Sequence, residues 1–175
     1  PALDTNLESK IKVLKFQELY SSLFLESDLV VVGVSSKGIE WIGEQLTKHF
    51  KEKKIPKLLL LTKGLSLHNN KYELLVDKLK RILSDKGFSN FDISAVGGPC
   101  LAKGLSNRVQ SSVVVANEEI KSAKTISSII STDYYHVEVS SDVAGVEVSA
   151  AIKNIYSMAV LSLIHISEPT RPYLI

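Results

Sequence analysis

A single cysteine, Cys100, leaves no disulfide framework and points to a reducing, cytoplasmic setting. No stretch reaches the roughly 18 to 20 apolar residues of a membrane span. A dominant charge is missing as well: Lys+Arg 21 nearly balances Asp+Glu 19, for a net +2. Bulk charge therefore gives no footprint for nucleic acid. His49, His68 and His136 are scattered and form no ligand set, so no metal site is expected. No Gly-x-Gly-x-x-Gly turn occurs anywhere. Gly33-Val34-Ser35-Ser36-Lys37-Gly38 spaces its glycines like a phosphate loop, but Ile39-Glu40 stand where a lysine and a hydroxyl residue belong, which excludes that reading. The chain opens on Pro1 rather than methionine, so a missing targeting signal carries no weight.

What is present reads as one globular domain with the start of another: 175 residues, 45% hydrophobic and 23% charged. Residues 7–24 read as helix or loop. Leu29 to Val34 is a short, continuous, β-branched run, expected to be a buried strand of a parallel sheet. Ile39, Ile42 and Leu46 mark a helix to about Phe50, with Trp41 expected to pack. The basic run Lys48 to Lys54 reads as its solvated end. Leu58 to Thr62 is a second strand, residues 64–70 a loop, and Lys71 to Lys86 a helix ended by Gly87. Phe91 to Val96, Ser112 to Ala116 and Tyr134 to Val139 are further strands. Asn117 reads as the N-cap of a helix over 118–130, and Asp142 as the cap of a last helix. Strands alternating with helices predict a mostly parallel α/β sheet, whose ligands bind outside the carboxyl ends of the strands.

Two lysines stand in apolar runs. Lys63 ends Leu58-Leu59-Leu60-Leu61-Thr62-Lys63-Gly64, and Lys153 interrupts Val146 to Tyr156. An ammonium in apolar surroundings loses hydration, its pKa falls, and proton transfer near neutral pH becomes easier. A loop lysine at a sheet edge explains Lys63 as well, and a lysine that snorkels to solvent explains Lys153 as well. Gly145, Ser149, Lys153 and Tyr156 share a helix face whose two small residues leave room beside the lysine. Gly97-Gly98-Pro99 follows a strand and offers backbone N–H groups to a ligand if a helix opens next. Cys100 reads as a small packed residue rather than a nucleophile.

Four segments taken in order resemble NAD(P)-dependent glycerol-3-phosphate dehydrogenase, in a divergent bacterial-type branch. They are Leu61-Thr62-Lys63-Gly64, Gly98-Pro99-Cys100-Leu101-Ala102-Lys103, Asp142-Val143-Ala144-Gly145-Val146-Glu147 and Ala150 to Ala159. The resemblance covers about residues 28–160. It implies a Rossmann-like nucleotide-binding domain followed by an all-helical substrate domain. It implies NAD or NADP as cofactor and reversible hydride transfer between dihydroxyacetone phosphate and glycerol 3-phosphate, which feeds glycerophospholipid synthesis. It assigns proton exchange to Lys153 and carbonyl polarisation to Lys63, with both lysines and Asn154 on the substrate. It places Lys63, Gly98 and Ala102 on the cofactor, and it is compatible with a homodimer of the full-length protein. Gly104 departs from the family pattern, which has an acidic residue there.

The resemblance divides the chain into a partial nucleotide-binding domain over 1–141 and the start of a helical domain over 142–160. Leu161 to Arg171 is similar to the translation of a transposon-derived sequencing-library adapter, so 161–175 is expected to be a non-native tail. A fragment of this kind is expected to be inactive alone. A related dehydrogenase of another hydroxy substrate and a non-catalytic nucleotide-binding protein are the alternatives.

Overall fold

The structure, a computed structural model, describes residues 9–15, 26–49 and 55–167, with side chains to 162. Five strands form the main sheet: β1 Leu29–Val32, β2 Lys57–Leu60, β5 Ile93–Gly97, β6 Ser111–Ala116 and β7 Tyr135–Ser140, side by side in that order. β1, β2 and β5 are parallel, β6 reverses against β5, and β7 is parallel to β6. The helices are α1 Gly38–His49, α2 Leu75–Asp85, α3 Ala102–Ser106, α4 Ile120–Ile130 and α5 Val143–Ser167.

Alternation along the strands sorts the core into two layers. Leu58 and Leu60 of β2 join Ile93 and Ala95 of β5 on one face, beneath Ile39 and Leu46 of α1, Leu75 and Leu79 of α2, and Val143 and Val146 of α5. Leu59, Val96, Val113 and Val115 turn the other way, beneath Ala123 and Ile126 of α4. α1, α2 and α5 therefore share one side of the sheet, and α4 covers the other. A mostly parallel α/β architecture was legible in the alternating pattern.

Several elements differ from the sequence reading. β1 is an edge strand rather than a buried one, with Val31 half exposed. Trp41 lies on the outward face of α1 and is 45% exposed, because Ile39 and Leu46 already set the inward stripe. The segment read as loop and helix start is a hairpin, β3 Ser66–His68 against β4 Lys71–Glu73, and α2 begins only at Leu75. Its two turn residues, Asn69 and Asn70, both take positive φ, the conformation a two-residue hairpin with right-handed strand twist requires. Gly87 does follow α2 in a left-handed conformation, its N–H bonded to the Ser84 carbonyl. The helix or loop read over 7–24 and the basic run after His49 fall largely outside the described residues.

The Asn117 Oδ1 accepts from the Glu119 N–H at 2.8 Å, the bond expected of a residue at a helix entry. The helix itself starts later than expected, and Glu119 occupies the position before it, its side chain accepting from the Lys121 N–H. The Asn117 amide also donates to Asp92, Ser94 and the Ile93 carbonyl. Lys57 and Ser122 also bond to Asp92. This network holds the end of the sheet where β2 and β5 begin. Asp142 behaves as expected: its Oδ1 accepts from the Gly145 N–H at 2.7 Å and starts α5.

Candidate active site

β2 and β5 end side by side, and the loops that leave them carry Thr62-Lys63-Gly64 and Gly98-Pro99. Thr62 is buried and donates to the Val34 carbonyl at 2.7 Å, which ties the loop after β2 to the loop after β1. Lys63 is the next residue and turns to the α4 face. It is exposed rather than buried in the apolar run that leads to it: β2 ends before it, and the side chain leaves the layer. Its Nζ donates to the Gly98 carbonyl at 3.4 Å.

Gly97 and Gly98 shape the end of β5. Gly98 has φ +139, and a Cβ there would come within 2.9 Å of the Ser112 carbonyl oxygen. At Gly97 the constraint is approach: a Cβ would lie 2.9 Å from a Val146 methyl. The missing side chain lets α5 lie directly on the strand. The expected helix does open after Gly-Gly-Pro, but α3 is a single short turn.

Two cavities meet at this strand end. One, of about 590 Å³, lies between β5 and α5 and is lined by Gly97, Gly98, Gly145, Ser149, Lys153 and Ser157. Lys153 is half-buried, and Gly145 and Ser149 leave the room beside it that their spacing predicted. Tyr156 is not part of this wall: it is 62% exposed, and Ser157 takes its place. The other cavity, of about 270 Å³, lies on the α4 face and holds Lys63, Cys100 and Ala102 against Leu61, Val96 and Tyr135. Burial pushes the Tyr135 phenol above its ordinary value, with Cys100 adding to it.

The candidate residues therefore divide. Lys63 and Lys153 reach the end of β5 from opposite faces and share only its glycines. Ala102 sits with Lys63, Gly98 borders both cavities, and Asn154 is exposed and lines neither. Glu147, buried on α5, was missed because its partner lies on α2, far away in sequence. Among the described residues no group of His, Cys, Asp or Glu could hold a metal, and no helix is long and apolar enough to cross a membrane.

The family model for the N-terminus of NAD-dependent glycerol-3-phosphate dehydrogenase matches residues 6–123. The chain belongs to this family. Among curated relatives of this glycerol-3-phosphate dehydrogenase N-terminal family, the NADP(+)-dependent glycerol-3-phosphate dehydrogenase of Archaeoglobus fulgidus is 28% identical over 134 residues, 77% of this chain and 38% of the relative. The glycerol-3-phosphate dehydrogenase [NAD(P)+] of Rickettsia bellii is 31% identical over 131 residues, 75% of this chain and 39% of the relative. The chain thus spans well under half the length of these relatives. The glycerol-3-phosphate dehydrogenase of Plasmodium falciparum superposes with TM-score 0.69 at 21% identity, over 86% of this chain and 40% of that one. That of Dunaliella salina gives 0.67 at 19%, over 86% and 25%. At such identities the superpositions speak for the fold, a Rossmann-like α/β domain.

Proposed function

We propose that the chain is the later part of the nucleotide-binding domain of an NAD(P)-dependent glycerol-3-phosphate dehydrogenase, together with the helix that leads into its substrate domain. On this reading the domain runs to residue 141, native substrate-domain sequence covers 142–160, and 161–175 is adapter-derived. The whole enzyme interconverts dihydroxyacetone phosphate and glycerol 3-phosphate in the cytoplasm. The observation that carries the reading is the placement of Lys63 and Lys153 on adjoining cavities around the glycines that end β5.

The residues present fit one end of a dinucleotide. The smaller cavity offers apolar walls, a cation and the Gly98 carbonyl, a suitable lining for a flat ring, and Lys63, Gly98 and Ala102 would hold it. A Gly-rich turn for the pyrophosphate is absent from the sequence. When bound, the cofactor supplies the hydride. Lys153, half-buried beside small residues, delivers a proton to the substrate oxygen as the carbonyl is reduced and removes it in the reverse direction. Lys63 polarises that carbonyl or holds negative charge near it. Asn154 is left to bind substrate from the exposed side of α5.

The test is oxidation of NADH or NADPH by the protein translated from the gene with its flanking sequence recovered. Turnover should require dihydroxyacetone phosphate, and Lys153→Ala should lower kcat by about 10²- to 10⁴-fold. Near-normal kcat in that variant rejects the role. The 175-residue chain alone should show no turnover.

A further inference from the structure

α2 starts without a cap of its own. Leu74 occupies the N-cap position and makes no side-chain bond to the first turn. The orphan N–H groups of a helix start need acceptors, and here the acceptor comes from another helix. Glu147 of α5 accepts from the Val76 N–H through Oε2 at 3.3 Å, with the Leu75 N–H beside the same carboxyl. Glu147 is 5% exposed, and its Oε1 has no hydrogen-bond partner.

This bond has a direction, and the rest of the α5 seat does not. Val146 and Ala150 rest on Gly97 through apolar contacts, which set how closely α5 approaches the strand but supply no directional bond. From Asn154 to Ser162 every residue of α5 is exposed, so among the described residues none further along fixes its rotation. Six residues separate Glu147 from Lys153, which at about 100° each puts their side chains about 120° apart around the helix. Fixing one fixes the other.

We propose that Glu147 is a positioning residue: by tying α5 to the first turn of α2 it sets the rotation of α5 and aims Lys153 into the cavity beside Gly97 and Gly98. The proposal rests on Lys153 being the working lysine, but its test reads no turnover. Burial pushes the Glu147 carboxyl up to about 7, helped by Asp77 and opposed by Lys80, both on α2. β5 and β6, which also pack on α5, contain no titratable residue. The ionisation of Glu147 is thus a label for its own influence.

The experiment follows the Val76 amide and the Lys153 side chain by NMR in the 175-residue chain, between about pH 5 and about pH 9. Both signals should shift with one midpoint near 7. Glu147→Gln, which keeps an acceptor for the α2 amides, should remove that step from both signals and leave the Lys153 resonance near its original position. Glu147→Ala should displace the Lys153 resonance and speed exchange of the Val76 amide by about tenfold or more. A step at Val76 without one at Lys153 would show a cap and no positioning, and would overturn the proposal. So would no step at either. If the alanine variant fails to fold, the glutamine variant alone decides, since a Lys153 step near pH 7 that survives it rejects the link.

Discussion

Asn117 and Asp92 meet across the antiparallel seam between β5 and β6, the Asn117 amide donating to Asp92 Oδ1 at 2.7 Å. The same carboxylate takes bonds from Lys57 and Ser122, and the same amide reaches Ser94. The starts of β2 and β5, the end of β6 and the first turn of α4 are thereby fixed at one point, at the end opposite the candidate site.

Replacing Asp92 with alanine removes the acceptor that Lys57, Ser122 and the Asn117 amide share. The pair is partly exposed, with side chains 32% and 28% accessible for Lys57 and Asp92. A loss of about 1–3 kcal/mol is therefore expected, below the cost for a fully buried pair. It should appear as a lower urea midpoint with an unchanged m-value. An unaltered midpoint would show that the network contributes nothing to stability.

The Asp92 and Glu147 carboxyls should give opposite pH dependences. Burial pushes the Asp92 carboxyl up, but the bonds from Lys57, Ser122 and Asn117 outweigh it and hold it below the ordinary value. Its contribution is complete above about pH 4 and is lost as pH falls further. Glu147 is raised from 4.5 to about 7, so the folded chain binds the extra proton in that window. Its contribution is complete below pH 4.5 and is lost as pH rises to about 7. Glu147→Gln should flatten the fall in melting temperature across this window, and an identical slope in the variant contradicts the assignment.

Gly98→Ala adds a methyl group where φ is +139 and the Ser112 carbonyl is 2.9 Å away. Destabilisation of about 2 kcal/mol or more is expected, because backbone strain and a clash with backbone combine. Chemical denaturation measures it. A loss below about 0.5 kcal/mol would mean that the β5–β6 connection adapts freely.

Ending the chain at Val160 should leave stability within about 0.5 kcal/mol of the original. α5 is exposed from Asn154 to Ser162, so removing 161–175 takes away little described packing. A fall of several degrees in melting temperature would show that the proposed adapter-derived tail supports the fold.

Local chemistry was legible in the sequence, and long-range chemistry was not. Asp142 announced the start of α5 because cap and helix are neighbours. Gly97-Gly98 announced the strand end, and the spacing of Gly145, Ser149 and Lys153 announced a cavity wall. Asn117 announced a helix entry, and its Oδ1 does accept from the Glu119 N–H; what the sequence did not show is that its amide also ties the turn to Asp92, Ile93 and Ser94. The hairpin was missed although Asn69-Asn70 carried its signal, because a helical run was extended back over Lys71 to Glu73. Lys63 looked buried because the apolar run leading to it is buried, whereas the side chain itself emerges past the strand end. Glu147 gave no local sign, its partner being Val76 on another helix.

The Glu147–Val76 contact also sets an order in time. A ribosome releases Val76 long before Glu147, so the first turn of α2 is without the Glu147 acceptor while β6, α4 and β7 are still being made. Only when α5 arrives does that turn gain its acceptor, and only then does Lys153 acquire a direction. The proposed catalytic arrangement thus waits on α5, the last of the described elements in chain order.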